Sequence, residues 1–169
     1  MNDKSEEKSR KLLVAINGSD ESIHAAMYAV MLARTYKAEI KFLYVIDSAT
    51  IKYLGMNQML AKDEQVDYKV DLAYEGQNYL EYVQSLAAGK GVVSQTELRD
   101  GTVITEILDV AKKFEADLII IGSQKRKKED RFVKRNVHST HESDIIENSR
   151  IPILVVKPND EIEAQFKVF

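Results

Sequence analysis

The chain reads as a three-layer α/β domain built on a five-stranded parallel sheet. Three observations predict this. Short aliphatic and β-branched runs alternate with longer segments of helical spacing, in the order β-α-β-α-β-α-β-α-β. Such alternation calls for parallel strands joined by right-handed helical crossovers, with helices on both faces. One run, residues 116–123 (Ala-Asp-Leu-Ile-Ile-Ile-Gly-Ser), is apolar on both of its faces, as central parallel strands are. Finally, 169 residues suit one domain with a single core.

In chain order, residues 1–10 are polar and charged and read as a flexible tail ahead of a domain at 11–158. Residues 12–16 form the first strand. Asn17-Gly18-Ser19 turns the chain, and Ser19 is placed to cap the first helix. Asp20 and Glu21 follow, where negative charge suits the helix dipole. Ile23, Ala26, Met27, Val30 and Ala33 fall at helical spacing and carry an amphipathic helix to about residue 36. Residues 41–46 are the second strand and 47–62 a loop. A long helix comes next, with Val66, Val70, Ala73, Tyr74, Leu80, Val83 and Ala87 on its inward face. Gly89 and Gly91 end it, as glycine commonly does past a helix C-terminus.

Residues 92–98 are the third strand, and Thr102 caps the following helix. Its stripe of Val103, Ile104, Ile107, Leu108, Ala111 and Phe114 is the clearest in the chain. After the central strand, residues 139–149 have weaker helical character around Ile145 and Ile146. Residues 151–156 are the last strand; Pro152 lacks an N–H, which suits a strand start. In a tail at 159–169, Ile162, Ala164, Phe166 and Val168 alternate, which fits an added edge strand or a clasp on a partner.

Bulk composition removes several function classes. The chain has no Cys, so disulfides, thiolate metal sites and Cys nucleophiles are excluded, and a reducing cytoplasm is expected. No apolar run approaches the length of a membrane span, and the first ten residues lack the apolar core of a secretory leader. A net charge of −3 gives no global nucleic-acid signature. The charge is unevenly spread, however: residues 123–141 hold seven Lys or Arg against two acidic residues.

Ligands of an open parallel sheet sit beyond the carboxyl ends of its strands, so Gly122 and Ser123 mark where chemistry is expected. The basic stretch at 125–135 follows directly. It suits an anion clamp, a patch for nucleic acid or an acidic partner, or simply a solvated loop. Phe132 is its one aromatic, which weighs against single-stranded nucleic acid. His138 and His141 stand three apart without a recognised ligand spacing, so no metal is expected. There is no Walker pattern, no nucleophile elbow and no phosphoacceptor aspartate set; no enzyme class is supported beyond a slow ATPase.

One group of segments carries a resemblance. Lys11-Leu12-Leu13-Val14-Ala15-Ile16-Asn17-Gly18-Ser19 precedes an Ala-rich helix; Tyr44-Val45-Ile46-Asp47, residues 116–123 and residues 152–156 follow in order. Over roughly residues 10–158 this resembles the universal stress proteins. The resemblance implies a Rossmann-like fold of the adenine nucleotide alpha hydrolase type, with strand order 3-2-1-4-5. It also implies a homodimer formed through the last strand (Ile153, Leu154, Val155, Val156) and a regulatory role toward a partner the sequence does not name.

Some members of that family bind ATP through Gly, two residues, Gly, nine residues, then Gly with Ser or Thr. Glycines let backbone amides approach phosphates, and the hydroxyl adds a donor. Gly122 takes the first position here, but Lys125 stands at the second. Ser139-Thr140 stands at the third, after a spacing four residues longer. ATP-binding members also carry Asp at the end of the first strand, where this chain has Asn17. The nucleotide pocket nominated in this way comprises Ile16, Asn17, Val45, Ile46, Gly122, Ser123, Lys125, Ser139 and Thr140. Asn17 also suits plain turn chemistry, and Ser139 or Thr140 a helix cap. Three functions stay open: a regulatory protein with an altered or lost ATP site, a nucleotide binder using residues 125–135 in place of the glycine loop, and an anion or nucleic-acid module through that segment.

Overall fold

The computed structural model describes residues 9–123 and 141–169. Five parallel strands, β1 (Lys11–Ile16), β2 (Glu39–Asp47), β3 (Ser94–Gly101), β4 (Leu118–Gly122) and β5 (Ile153–Val156), form one sheet. Their order is β3-β2-β1-β4-β5, as expected. The helices among the described residues are α1 (Asp20–Tyr36), α2 (Ser48–Met56), α3 (Lys62–Gly89), α4 (Val103–Phe114), α5 (His141–Asn148) and α6 (Asp160–Val168). None is long and apolar enough to cross a membrane.

The middle strand explains the layering. Along β1, Leu12, Val14 and Ile16 enter the core shared with α1, α3 and α6, whereas Leu13 enters the core shared with α4 and α5. Leu13 and Val14 are both fully buried, so β1 is apolar on each face. Phe42 of β2, with Leu80 and Val83 of α3, closes the first core. Ile119 of β4 and Phe114 of α4 close the second. The chain leaves β1 toward β2 on one side and returns to pair β4 on the other, so strand order reverses at β1. In such sheets the crevice at the reversal is where ligands bind.

Four elements differ from the sequence reading. Residues 48–56 are helical rather than looped: Asp47 caps α2, its carboxylate accepting from the Thr50 N–H at 3.0 Å. Only Ile51 of α2 is buried, so the segment has almost no hydrophobic period to detect. Strand β3 starts and ends later than its aliphatic residues indicate. Its register on β2 runs from Ile40↔Ser94 to Asp47↔Gly101, carrying Glu97, Arg99 and Asp100 along the sheet edge, where charge is tolerated.

On α3 the inward face includes Leu72, Gly76, Tyr79, Leu80, Val83 and Ala87, while Val66, Val70 and Tyr74 point outward. Gly76 has no side chain to signal burial, yet it is buried where the helix packs against Tyr44 of β2 and Leu98 of β3. A Cβ added there would lie 2.5 Å from Cδ1 of Tyr44. The last segment is a helix, not a strand. Asn159 caps α6 through the Ile162 N–H at 2.9 Å, and Ile162 and Phe166, four apart, are buried. The alternation at 162, 164, 166 and 168 hid that helical pair.

Side chains tie α3 to the β3 edge through the Lys69–Asp100 ion pair. The Lys69 ammonium, followed by the Ser48 hydroxyl, holds the Asp100 carboxyl below its ordinary value. A depressed folded value means the pair stabilises fully above the unfolded carboxylate range and loses that contribution as pH falls through the lower folded value. Lys69→Met is therefore expected to flatten the acid limb of stability below about pH 4, with a modest effect because both groups are about half exposed. Denaturant melts between about pH 2.5 and 5 check this.

Candidate functional site

At the carboxyl ends of β1, β2 and β4 the structure holds a cavity of about 240 Å³. Ala15, Ile16 and Asn17 reach it from β1, Leu43, Tyr44 and Val45 from β2, and Ile121 and Gly122 from β4. Tyr68 and Leu72 of α3 wall one side; Val103 and Ile107 of α4 and Ile145 of α5 wall the other. The lining is mostly aliphatic, with a few polar groups for orientation, which is how small-molecule sites are built. The volume is just under the usual ~300–1,000 Å³, so it suits a compact ligand. Its charged groups among the described residues are carboxylates, Asp47 and Glu142, with no Lys or Arg.

The turn after β1 is held rigidly. The Asn17 Oδ1 accepts from the Ser19 N–H at 3.1 Å and from the Ser19 hydroxyl at 2.7 Å, an Asx turn. Ser19 Oγ in turn accepts from the Ser22 N–H at 3.2 Å and caps α1. Gly18 sits at φ 80° beneath the Tyr79 ring; a Cβ there would meet Cζ of that ring at 2.9 Å. Tyr79 stacks on Tyr44, with ring centroids 6.5 Å apart and planes within 8°. Burial first, then Glu75, Tyr79 and Tyr68, raises the Tyr44 phenol above its ordinary value, so it stays a neutral donor at the cavity wall.

The β4 end is equally constrained. A Cβ on Gly122 would lie 2.7 Å from the Ser22 backbone nitrogen and closer still to the Glu21 carbonyl. The Ser123 N–H donates to the Val156 carbonyl at 2.8 Å, so this amide belongs to the sheet and not to a ligand. Of the residues nominated from sequence, Ile16, Asn17, Val45 and Gly122 line the cavity. Ile46 packs instead into the core under α1 and α3. Lys125, Ser139 and Thr140, with the rest of 125–135, lie outside the described residues.

Sequence reasoning missed Tyr44, Asp47, Tyr68, Leu72 and Glu142 as lining residues. Tyr44 and Asp47 flank the nominated Val45 and Ile46. Tyr68, Leu72 and Gly76 repeat every four residues along α3, a signal obscured by the stronger but outward Val66-Val70-Tyr74 period.

The universal stress protein family model matches residues 8–157, nearly the whole described sheet and its helices. The chain belongs to the universal stress protein family. Universal stress protein MJ0531 of Methanocaldococcus jannaschii is 30% identical over 148 residues, covering 88% of this chain and 82% of that protein. Among solved structures, hypothetical protein MJ0577 matches with a TM-score of 0.68 at 22% identity, over 89% of this chain and 97% of that one. The universal stress protein from Archaeoglobus fulgidus in complex with dAMP matches with a TM-score of 0.59 at 16% identity, over 88% and 98%. A universal stress protein in complex with cAMP matches with a TM-score of 0.54 at 16% identity, over 87% and 95%. At those identities the solved structures establish the fold of this family member, a Rossmann-like sheet of the adenine nucleotide alpha hydrolase type. Helix α6 falls outside the matched family segment.

Proposed function

We propose that this universal stress protein is a regulatory protein whose cavity takes the base and sugar of an adenine nucleotide, while its triphosphate-binding part is altered. The observation that carries the reading is the division of donors at the switch point. The cavity offers aliphatic walls and two tyrosines, Tyr44 and Tyr68, suited to a base and its sugar. Among the described residues nominated for the pocket, the Ser123 N–H is used in the sheet and is not free for a phosphate. Relatives of the same fold hold dAMP and cAMP, both monophosphates.

Calorimetric titration with adenosine, AMP and ATP with Mg²⁺ tests this. Adenosine and AMP are expected to bind with similar affinity, and ATP no more tightly. At about 100 Kd of ligand the gain is ~2.7 kcal/mol, visible as a rise in melting temperature. ATP binding about tenfold tighter than AMP would overturn the altered-site reading and point to Lys125, Ser139 and Thr140 as phosphate ligands. Absence of all three ligands from the cavity would overturn the nucleotide reading itself.

We also propose a homodimer through β5. Among the described residues that strand pairs with β4 alone, and its sequence Ile153-Leu154-Val155-Val156 carries no charge. The opposite edge, β3, carries Glu97, Arg99 and Asp100. An uncharged aliphatic edge is one that must be covered, and an isologous pairing of two copies covers it. Light scattering at micromolar concentration is expected to give twice the monomer mass, and Leu154→Lys to halve it. A monomer mass for the parent chain would sink the proposal.

A further inference from the structure

Helix α3 is two-sided over its first four turns. Inward, Tyr68 and Leu72 wall the cavity, and Gly76 lies against Tyr44. Outward, Val66, Val70 and Tyr74 are 62%, 61% and 71% exposed. Residues four apart share a face, so these three form one apolar stripe on solvent. The outer face of a surface helix is ordinarily polar, which makes this stripe a feature in need of a reason.

The charges around the stripe say what could cover it. Asp67, Asp71 and Glu75 are exposed along one flank, and Asp63 and Glu81 lie near its ends. Of the two lysines in the same stretch, Lys69 is already paired with Asp100. A membrane surface or a nucleic acid is anionic and would be repelled. A second copy of α3 packed antiparallel would bring the carboxylate flank against its own equivalent. An apolar stripe beside carboxylates is instead complementary to a helix with apolar residues at the same four-residue spacing and lysine or arginine beside them.

We propose that the outer face of α3, centred on Val70, docks a basic amphipathic helix of a partner protein. The site lies on the helix between β2 and β3, at the far edge of the sheet from β5. It therefore stays open whether or not two copies pair through β5.

The test uses two synthetic helical probes, each with leucines at four-residue spacing, one flanked by lysines and the other by glutamates. Fluorescence anisotropy against the full chain is expected to show binding of the lysine probe, weakening as salt rises, and none of the glutamate probe. Val70→Ser with Tyr74→Ser is expected to weaken the lysine probe about tenfold. Asp67→Lys with Asp71→Lys is expected to reverse the preference between probes. All four positions are exposed, so an unchanged melting temperature verifies that each variant is folded. Equal binding of the lysine probe to parent and Val70/Tyr74 variant, or a preference untouched by charge reversal, would overturn the proposal. So would a parent assembly whose mass falls on Val70→Ser, which would assign the face to a second copy.

Discussion

Gly122→Ala is expected to lower the melting temperature by ~6–12 °C, the equivalent of about 3 kcal/mol at about 2–4 °C per kcal/mol for a domain of this size. The reason is geometric. The new methyl would press on the Glu21 carbonyl and, at 2.7 Å, on the Ser22 nitrogen. Both are backbone atoms in the capped first turn of α1, so no side chain can swing away. Either α1 lifts from β4, or β4 shifts against β1 and β5, and each costs packing in a core that is already filled. Gly89→Ala is the matched control: nothing lies within 4 Å of its added methyl, and the substitution is expected to leave stability unchanged or slightly raised. Calorimetric melting of the two variants separates them. Equal melting temperatures would show that the β4–α1 approach is not the constraint described.

Phe166→Ala is expected to cost about 3 kcal/mol, the lower end for a buried Phe, because α6 can detach before the domain unfolds. Phe166 is 6% exposed and, with Ile162, plugs α6 into the core shared with α1 and α3. Lys90 lies over its ring at 4.8 Å, and Arg34 donates to the Phe169 carbonyl at 2.9 Å. Losing the ring leaves a helix held by Ile162 and by exposed polar contacts. Limited proteolysis is expected to remove residues 158–169 from the variant while sparing them in the parent. An uncleaved variant with the parent's melting temperature would mean that α6 owes its place to something other than this side chain.

Most of the fold was legible because the buried elements repeat with clean periods. Val103 to Phe114 and the run at 118–122 are examples in which every inward position is aliphatic or aromatic. What escaped notice did so for specific reasons. Gly76 is a contact without a side chain, Ile51 is a lone anchor, and Ile162 with Phe166 satisfies two periods at once. Four of the sixteen residues that line the cavity were legible for a related reason. Strand ends such as Ile16, Val45 and Gly122 announce themselves by following apolar runs. Tyr68, Leu72 and Glu142 enter from helices whose rotation about the sheet is set only by tertiary packing.

The strand order has a consequence for how the chain comes off the ribosome. Residues 11–101 supply β1, β2 and β3, which can pair as soon as they emerge. The second edge of β1 must wait for β4, where Leu12 meets Leu118. At roughly 5–20 residues per second, that aliphatic edge stands open for about 5–20 s during synthesis. A nascent chain stalled before β4 therefore displays Leu12, Leu13 and Val14 on a bare strand. Chaperone dependence should be greatest in that interval and fall once β4 has closed the sheet.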